Sequence, residues 1–208
     1  MPDTYVYSIT QDNPETIYIN LTNKCTNNCV FCIRNLSNPI KGKDLWLENE
    51  DVTLEKIKSQ LEKYSNYKEV VFCGYGEPTI KLDLLKDVSK YLKSKDAGIK
   101  IRINTNGQGN IINNKNIIPE LKNIVDEISV SLNASNNKDY MQISGCKNEK
   151  AYENVKDFIK QSVENGFNTT ATVVTGYKNY KVDVDECEKI TKQAGANFRV
   201  RKWLDKGY

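Results

Sequence analysis

Three cysteines stand within eight residues, Cys25-Thr26-Asn27-Asn28-Cys29-Val30-Phe31-Cys32, at C-x3-C-x2-C spacing. A loop this short can wrap three sulfurs around one metal centre. If the centre is a four-iron cubane, three protein thiolates leave one iron open to a small-molecule ligand. If it is a single tetrahedral zinc ion, a fourth ligand is required, and Cys73 is the candidate because the sequence contains no histidine. The lack of imidazole also excludes a Ser-His-Asp triad or a Cys-His nucleophile pair. Any chemistry must come from Cys, Glu, Asp, Lys, Tyr or a cofactor.

Other segments carry groups of the same kind. Gly74-Tyr75-Gly76-Glu77-Pro78 combines two glycines, which let backbone carbonyls come close to a ligand, with an acid suited to a cation. Alone it reads equally well as a turn. Ile128 to Asn133 alternates apolar residues with Ser129, Ser131 and Asn133, and Asn104-Thr105-Asn106-Gly107 closes another strand. Of the remaining thiols, Cys187 falls in helical register with Ile190 and Ala194 and reads as core, as does Cys73 inside an apolar strand. Cys146, in Ser144-Gly145-Cys146-Lys147 after the fourth strand, falls where β-α loops build an active-site face and is a candidate catalytic thiol.

The elements that must position these groups alternate between period-2 apolar runs and amphipathic stretches, the signature of β-α repetition around a parallel sheet. Strands are expected at Thr16–Thr22, Glu69–Gly74, Ile99–Thr105, Glu127–Asn133, Thr169–Thr175 and Asn197–Trp203. Helices are expected at Val52–Tyr64, at Asp83–Lys93 with Asp83 as N-cap, at Lys150–Asn165 before Gly166, and at Asp183–Ala194 before Gly195, with a shorter crossover at Pro119–Val125. Six β-α units are too few for a closed eight-stranded barrel. The expected form is an α/β fold, an open, partial (β/α)6 TIM-like barrel of parallel strands, filling residues 1–208 as a single domain. The Ile33–Asp51 connection lacks periodicity and is long enough to be functional; with Trp46 it is a candidate lid, and a static surface loop explains it equally well.

Composition sets outer bounds. The formal net charge is +3 with both signs interspersed, so nucleic acid is neither indicated nor excluded as a partner. No stretch approaches the ~20 apolar residues of a membrane span, and MPDTYVYSIT lacks a basic region followed by an apolar run. A cytoplasmic protein is expected, in which six thiols point to a metal site or a reactive thiol rather than a disulfide framework.

Taken together, the cysteine loop after the first strand, Phe31 before the third cysteine and the Gly-x-Gly-Glu-Pro run after the second strand resemble the radical S-adenosylmethionine (SAM) superfamily. Over Tyr18-Ile19-Asn20-Leu21-Thr22-Asn23, Phe31-Cys32-Ile33-Arg34, Asp44-Leu45-Trp46-Leu47-Glu48, Ser131-Leu132-Asn133-Ala134 and Phe198-Arg199-Val200-Arg201, the chain is similar to small radical SAM proteins associated with TatD-family nucleases. That association describes gene neighbourhood and implies no nuclease activity. The resemblance implies a [4Fe–4S] cluster on Cys25, Cys29 and Cys32, and SAM held by Phe31, Gly74, Gly76, Glu77, Asn104, Ser131 and Asn133. Glu77 would meet the methionyl ammonium, and Ser131 and Asn133 would contact ribose and carboxylate. It also implies a flavodoxin- or ferredoxin-type electron donor and a 5′-deoxyadenosyl radical that takes hydrogen from a substrate the sequence does not name. The alternative from another class is a non-catalytic, zinc-stabilised four-cysteine binding module.

One further pattern concerns that substrate. Lys100, Arg102 and Asn104 share one face of their strand, and Arg199 and Arg201 share one face of theirs. Helices must cover the apolar faces, so the basic faces are expected to point into the open barrel and to suit an anion. Pairing with acids such as Glu127, exposure to solvent at the unclosed edge of the barrel, or contact with the carboxylate of SAM itself would satisfy the same charges.

Overall fold

The computed structural model describes residues 3–10, 14–36, 40 and 43–204. Its strands are β1 (Val6–Tyr7), β2 (Thr16–Ile19), β3 (Glu69–Phe72), β4 (Lys100–Thr105), β5 (Glu127–Ser131), β6 (Asn168–Thr175) and β7 (Asn197–Lys202). They form one sheet in sequence order, parallel from β2 to β7, with β1 antiparallel on the β2 edge. The first and last strands do not pair, so the sheet is an open, partial barrel. All six expected strands are present. The two-residue β1 was not anticipated, being too short to show a period.

The helices are α1 (Leu54–Leu61), α2 (Leu82–Lys95), α3 (Gly109–Ile112), α4 (Asn137–Ser144), α5 (Ala151–Glu164) and α6 (Val184–Gln193). Thr53 caps α1 by accepting the Lys56 N–H, Asn136 caps α4 and Asp183 caps α6, each through its side chain. Gly166 and Gly195 follow α5 and α6 at φ +86° and +76°, the left-handed turn that glycine makes without a Cβ penalty. The expected Asp83 cap is replaced. Glu77 caps a 3-10 turn over Pro78–Lys81 that runs into α2, leaving Asp83 in the first turn. The crossover expected at Pro119–Val125 is a 3-10 turn at Ile118–Leu121.

Alternation decides what the sheet does with its two faces. Ile17, Ile19, Phe72, Ile101, Ile103 and Val130 turn to one side and pack with Ile57, Leu85, Val88, Val155 and Phe158 of the helices in one buried core. Cys187 of α6 is fully buried in that core, as expected. Each such aliphatic side chain contributes about 1.5–3 kcal/mol through burial. The residues between them face the opposite way, into the lumen of the open barrel.

Candidate functional site

A cavity of about 540 Å³ occupies that lumen. Its lining includes Cys25, Cys29 and Cys32 together with Phe31, Gly74, Gly76, Glu77, Asn104, Ser131 and Asn133. The structure thus gathers these ten residues, from four segments of chain, around one space.

The cysteine loop is fixed from several sides. Glu77 donates its N–H to the Lys24 carbonyl (2.8 Å), and Asn28 and Val30 donate theirs to Ser144 and Ile143 at the end of α4 (2.7 and 3.0 Å). Asn106 donates its side-chain amide to Thr26 Oγ1 (2.8 Å) and lies 3.7 Å from Cys25 Sγ. Gln108 reaches Asn27 Oδ1 (2.7 Å) and the Tyr140 hydroxyl (3.0 Å), while Arg34 bonds to the Asn28 side chain (3.1 Å). Asn106, Gln108 and Tyr140 were not singled out from sequence. Asn106 sat inside the quoted Asn-Thr-Asn-Gly turn, which was the available signal.

Gly76 shows why a side chain is excluded there. A Cβ at that position would collide with the backbone carbonyls of Thr22 and Lys24, and one at Gly74 would collide with the Asn20 side chain. The glycines therefore serve close packing of two loops, a use that does not depend on unusual dihedrals.

Glu77 is 2% exposed. Its Oε1 accepts from the Thr79 amide (3.1 Å), the Thr79 hydroxyl (2.7 Å) and the Thr105 hydroxyl (2.7 Å), and its Oε2 from the Asn106 amide (2.7 Å). Burial pushes its carboxyl up, against the pull of those hydrogen bonds. All four donors are neutral, and no lysine or arginine among the described residues bridges to it. A carboxylate oxygen can accept more than one bond, so Oε2 retains capacity for a further donor.

Burial also raises the thiols. Cys25 is pushed up to about 11 by burial and then by Glu77, and Cys29 to about 12 by burial and then by Cys32 and Cys25. Without a cation these groups hold their protons at neutral pH, and metal binding must displace them.

The residues fit a cluster and SAM on grounds internal to this structure. Asn104 and Asn133 each bury a side-chain oxygen without a hydrogen-bond partner, and both line the cavity. Such acceptors are rare unless a ligand uses them. Asn133 is 2% exposed and sits at φ +59°, a left-handed conformation that a non-glycine residue adopts at a cost. Among the described residues, no three Cys, Asp or Glu side chains stand close enough to hold one ion.

Three expectations are corrected. Cys146 is not part of the cavity lining. The left-handed Gly145 cap turns it inward, where it is 5% exposed, packs in the main core and lies 3.9 Å from Gln108 Oε1. Its candidacy as a catalytic thiol therefore loses its geometric basis. Cys73 is the reverse case: read as core, it lines the lumen. The expected lid is partly pinned, since Asn20 bonds to the Leu45 carbonyl (2.6 Å) and Asn23 to Leu47 in both directions (2.8 and 3.1 Å). Trp46 is 49% exposed beside Tyr75 and does not line the cavity, although Ile33 and Ile40 do. Residues 37–39, 41 and 42 of that connection lie outside the described residues.

A family model of the Radical SAM superfamily matches residues 19–200. The chain belongs to the radical SAM superfamily. Enzymes of this superfamily use a [4Fe–4S] cluster and SAM. An uncharacterized protein of Methanocaldococcus jannaschii is 30% identical over 128 residues, 61% of this chain and 37% of the relative. Among solved structures, TYW1 with a lysine-pyruvate adduct bound superposes at TM-score 0.63 and 16% identity, covering 91% of this chain and 65% of that one. Streptococcus suis SuiB bound to the precursor peptide SuiA gives TM-score 0.67 at 20% identity, covering 92% and 40%. At these identities the radical SAM structures share the fold. The chain spans roughly a third to two-thirds of the length of these proteins. The comparisons do not reach the narrower resemblance to proteins associated with TatD-family nucleases. No helix among the described residues is long and apolar enough to cross a membrane.

Proposed function

We propose that Cys25, Cys29 and Cys32 hold a [4Fe–4S] cluster, that the loops after β3, β4 and β5 hold SAM beside it, and that the enzyme starts radical chemistry on a substrate in the barrel lumen. When bound, cluster and SAM supply reductive cleavage of the sulfonium to methionine and a 5′-deoxyadenosyl radical that removes a hydrogen atom from the substrate. The observation that carries this reading is the convergence of three thiols, a cation-free buried carboxylate and two orphaned amide oxygens on one cavity.

The chain's own residues divide the work. The three thiols would hold the cluster and leave one iron without a protein ligand, available to SAM. Glu77, already held by Thr79, Thr105 and Asn106, offers Oε2 to the methionyl ammonium without having to reorganise. Asn104, Ser131 and Asn133 supply acceptors and a hydroxyl for ribose and carboxylate. Phe31, packed against Ile143 and Val174 and edge-on to Tyr177, is an apolar wall that keeps water from the reacting centre. A flavodoxin- or ferredoxin-type protein is the electron donor in this reading.

The test is anaerobic reconstitution with iron and sulfide, then dithionite and SAM, with 5′-deoxyadenosine measured by chromatography. Formation of 5′-deoxyadenosine that depends on the cluster supports the proposal. Its absence from protein carrying a full cluster would refute it.

A further inference from the structure

The basic face expected inside the barrel divides into two unlike parts. Arg102 on β4 is spent internally: its guanidinium bonds to both carboxylate oxygens of Glu69, at 3.0 and 3.4 Å, and Glu69 also accepts the Thr16 hydroxyl at 3.0 Å. That closed group at the lumen floor leaves no charge to neutralise.

Arg201 on β7 is different. It lines the same cavity, yet no described carboxylate bridges to it, and its Nε is buried with no hydrogen-bond partner. A guanidinium N–H removed from water without an acceptor is costly, and proteins keep such groups where a ligand completes them. The neighbouring lumen positions are polar as well. Arg201 pairs in register with Val174 and Arg199 with Thr172, and Thr172 pairs with Ser131, so hydroxyls and guanidinium groups run side by side across β5, β6 and β7. Thr172 is 2% exposed and lines the cavity. Lys202 adds a further positive charge to the lining. The acid on the opposite side, Glu77, is the group the SAM ammonium would satisfy. Among the described residues, Arg201 thus brings to the β7 side of the lumen a charge that no carboxylate bridges and an N–H that no acceptor meets.

We infer that Arg201, which lines the lumen together with Thr172, binds an oxyanion group of the substrate, a carboxylate or a phosphate, on the side of the cavity away from Glu77. Identifying that ligand as the substrate rests on the radical SAM reading above. The chemistry of the site does not. A guanidinium fork meets either oxyanion in a two-point contact and leaves hydroxyl donors for a remaining oxygen. The anion at Arg201 would also place the substrate between the sheet edge and the cysteine loop, within the volume that encloses both.

The experiment is isothermal calorimetry on cluster-loaded protein saturated with SAM, titrated with inorganic phosphate and separately with succinate. Arg201→Gln, Arg201→Lys and the exposed control Lys192→Gln are measured alongside. One or both anions should bind, the response showing which oxyanion is preferred. Arg201→Gln should weaken that binding about tenfold or more, Arg201→Lys by less, and Lys192→Gln not at all. The melting temperature of Arg201→Gln should stay at the wild-type value, because no protein bond is lost. No anion binding to the wild type, unchanged binding in Arg201→Gln, or a fall in its melting temperature would each overturn the inference. So would a tenfold loss of SAM affinity in Arg201→Gln, which would assign the arginine to SAM. Binding is read without turnover, and the same titrations on the metal-free protein report the anion site independently of cluster and SAM, so the two failures remain separate results.

Discussion

Asn106 donates its backbone N–H to Glu77 Oε2 at 2.7 Å while its side chain holds Thr26 in the cysteine loop at 2.8 Å. One residue after β4 thus ties the acid of the β3 loop to the thiol-bearing loop of β2. A change at Glu77 consequently acts on both ligand and fold, and the two effects can be separated.

Glu77→Ala leaves the Thr79 and Asn106 amides and the Thr105 hydroxyl without an acceptor, at a cost of about 2–4 kcal/mol in unfolding free energy. Glu77→Gln keeps an oxygen for the Oε1 cluster but turns a donor toward the Asn106 N–H, costing about 1–2 kcal/mol. Both should lose SAM affinity by about tenfold or more, since the charge is gone in each. Urea melts and calorimetry with SAM give the comparison. Wild-type SAM affinity in Glu77→Gln would remove Glu77 from the site.

Gly76→Ala forces a methyl group onto the Thr22 and Lys24 carbonyls and should destabilise the apoprotein by about 1–3 kcal/mol, with reduced iron uptake. Gly166→Ala, where nothing lies within 4 Å but φ is +86°, should cost about 1 kcal/mol and leave iron uptake intact. Denaturant midpoints and iron content distinguish the steric effect from the conformational one. Equal iron content in the two variants would show that the Gly76 contact does not position the cysteines.

The apoprotein should lose stability at high pH. Burial, followed by Asp183 and Glu186, pushes the Cys187 thiol up to about 12 from an ordinary 9.0. Burial pushes Tyr140 to about 12 from 10.0, with the bonds to Asn27 and Gln108 opposing it. In the unfolded chain these groups ionise at their ordinary values, whereas the folded chain keeps them protonated. The stabilisation is complete below about pH 9 and falls as pH rises toward 12. Thermal melts across that range should show the decline, and it should be shallower in Cys187→Ala. A melting temperature that stays level or rises above pH 9 would contradict this.

The sheet was legible because Ile17, Ile19, Ile101, Ile103, Ile128 and Val130 repeat every second residue, and the helix ends because Gly166 and Gly195 sit where left-handed caps are needed. The thiol triplet was legible because its ligands are close in sequence. Other features depend on contacts between distant segments. The partners of Glu77 include Thr105, 28 residues away, and the Gln108–Tyr140 bond spans 32. Helix α4 escaped notice because only Tyr140, Ile143 and Ser144 of its eight residues are buried. Cys73 was read as core because the run Val70, Val71, Phe72 is apolar on both faces, which hides the side to which the next residue turns.

The most direct measurement is the iron content of anaerobically reconstituted Cys25→Ala, Cys29→Ala, Cys32→Ala and Cys73→Ala proteins, with zinc measured in parallel. A [4Fe–4S] cluster on the first three predicts close to four irons per chain in wild type and Cys73→Ala, with loss of iron in each of the other variants. Stoichiometric zinc in the wild type that disappears in Cys73→Ala, or four irons retained in Cys29→Ala, would contradict the assignment.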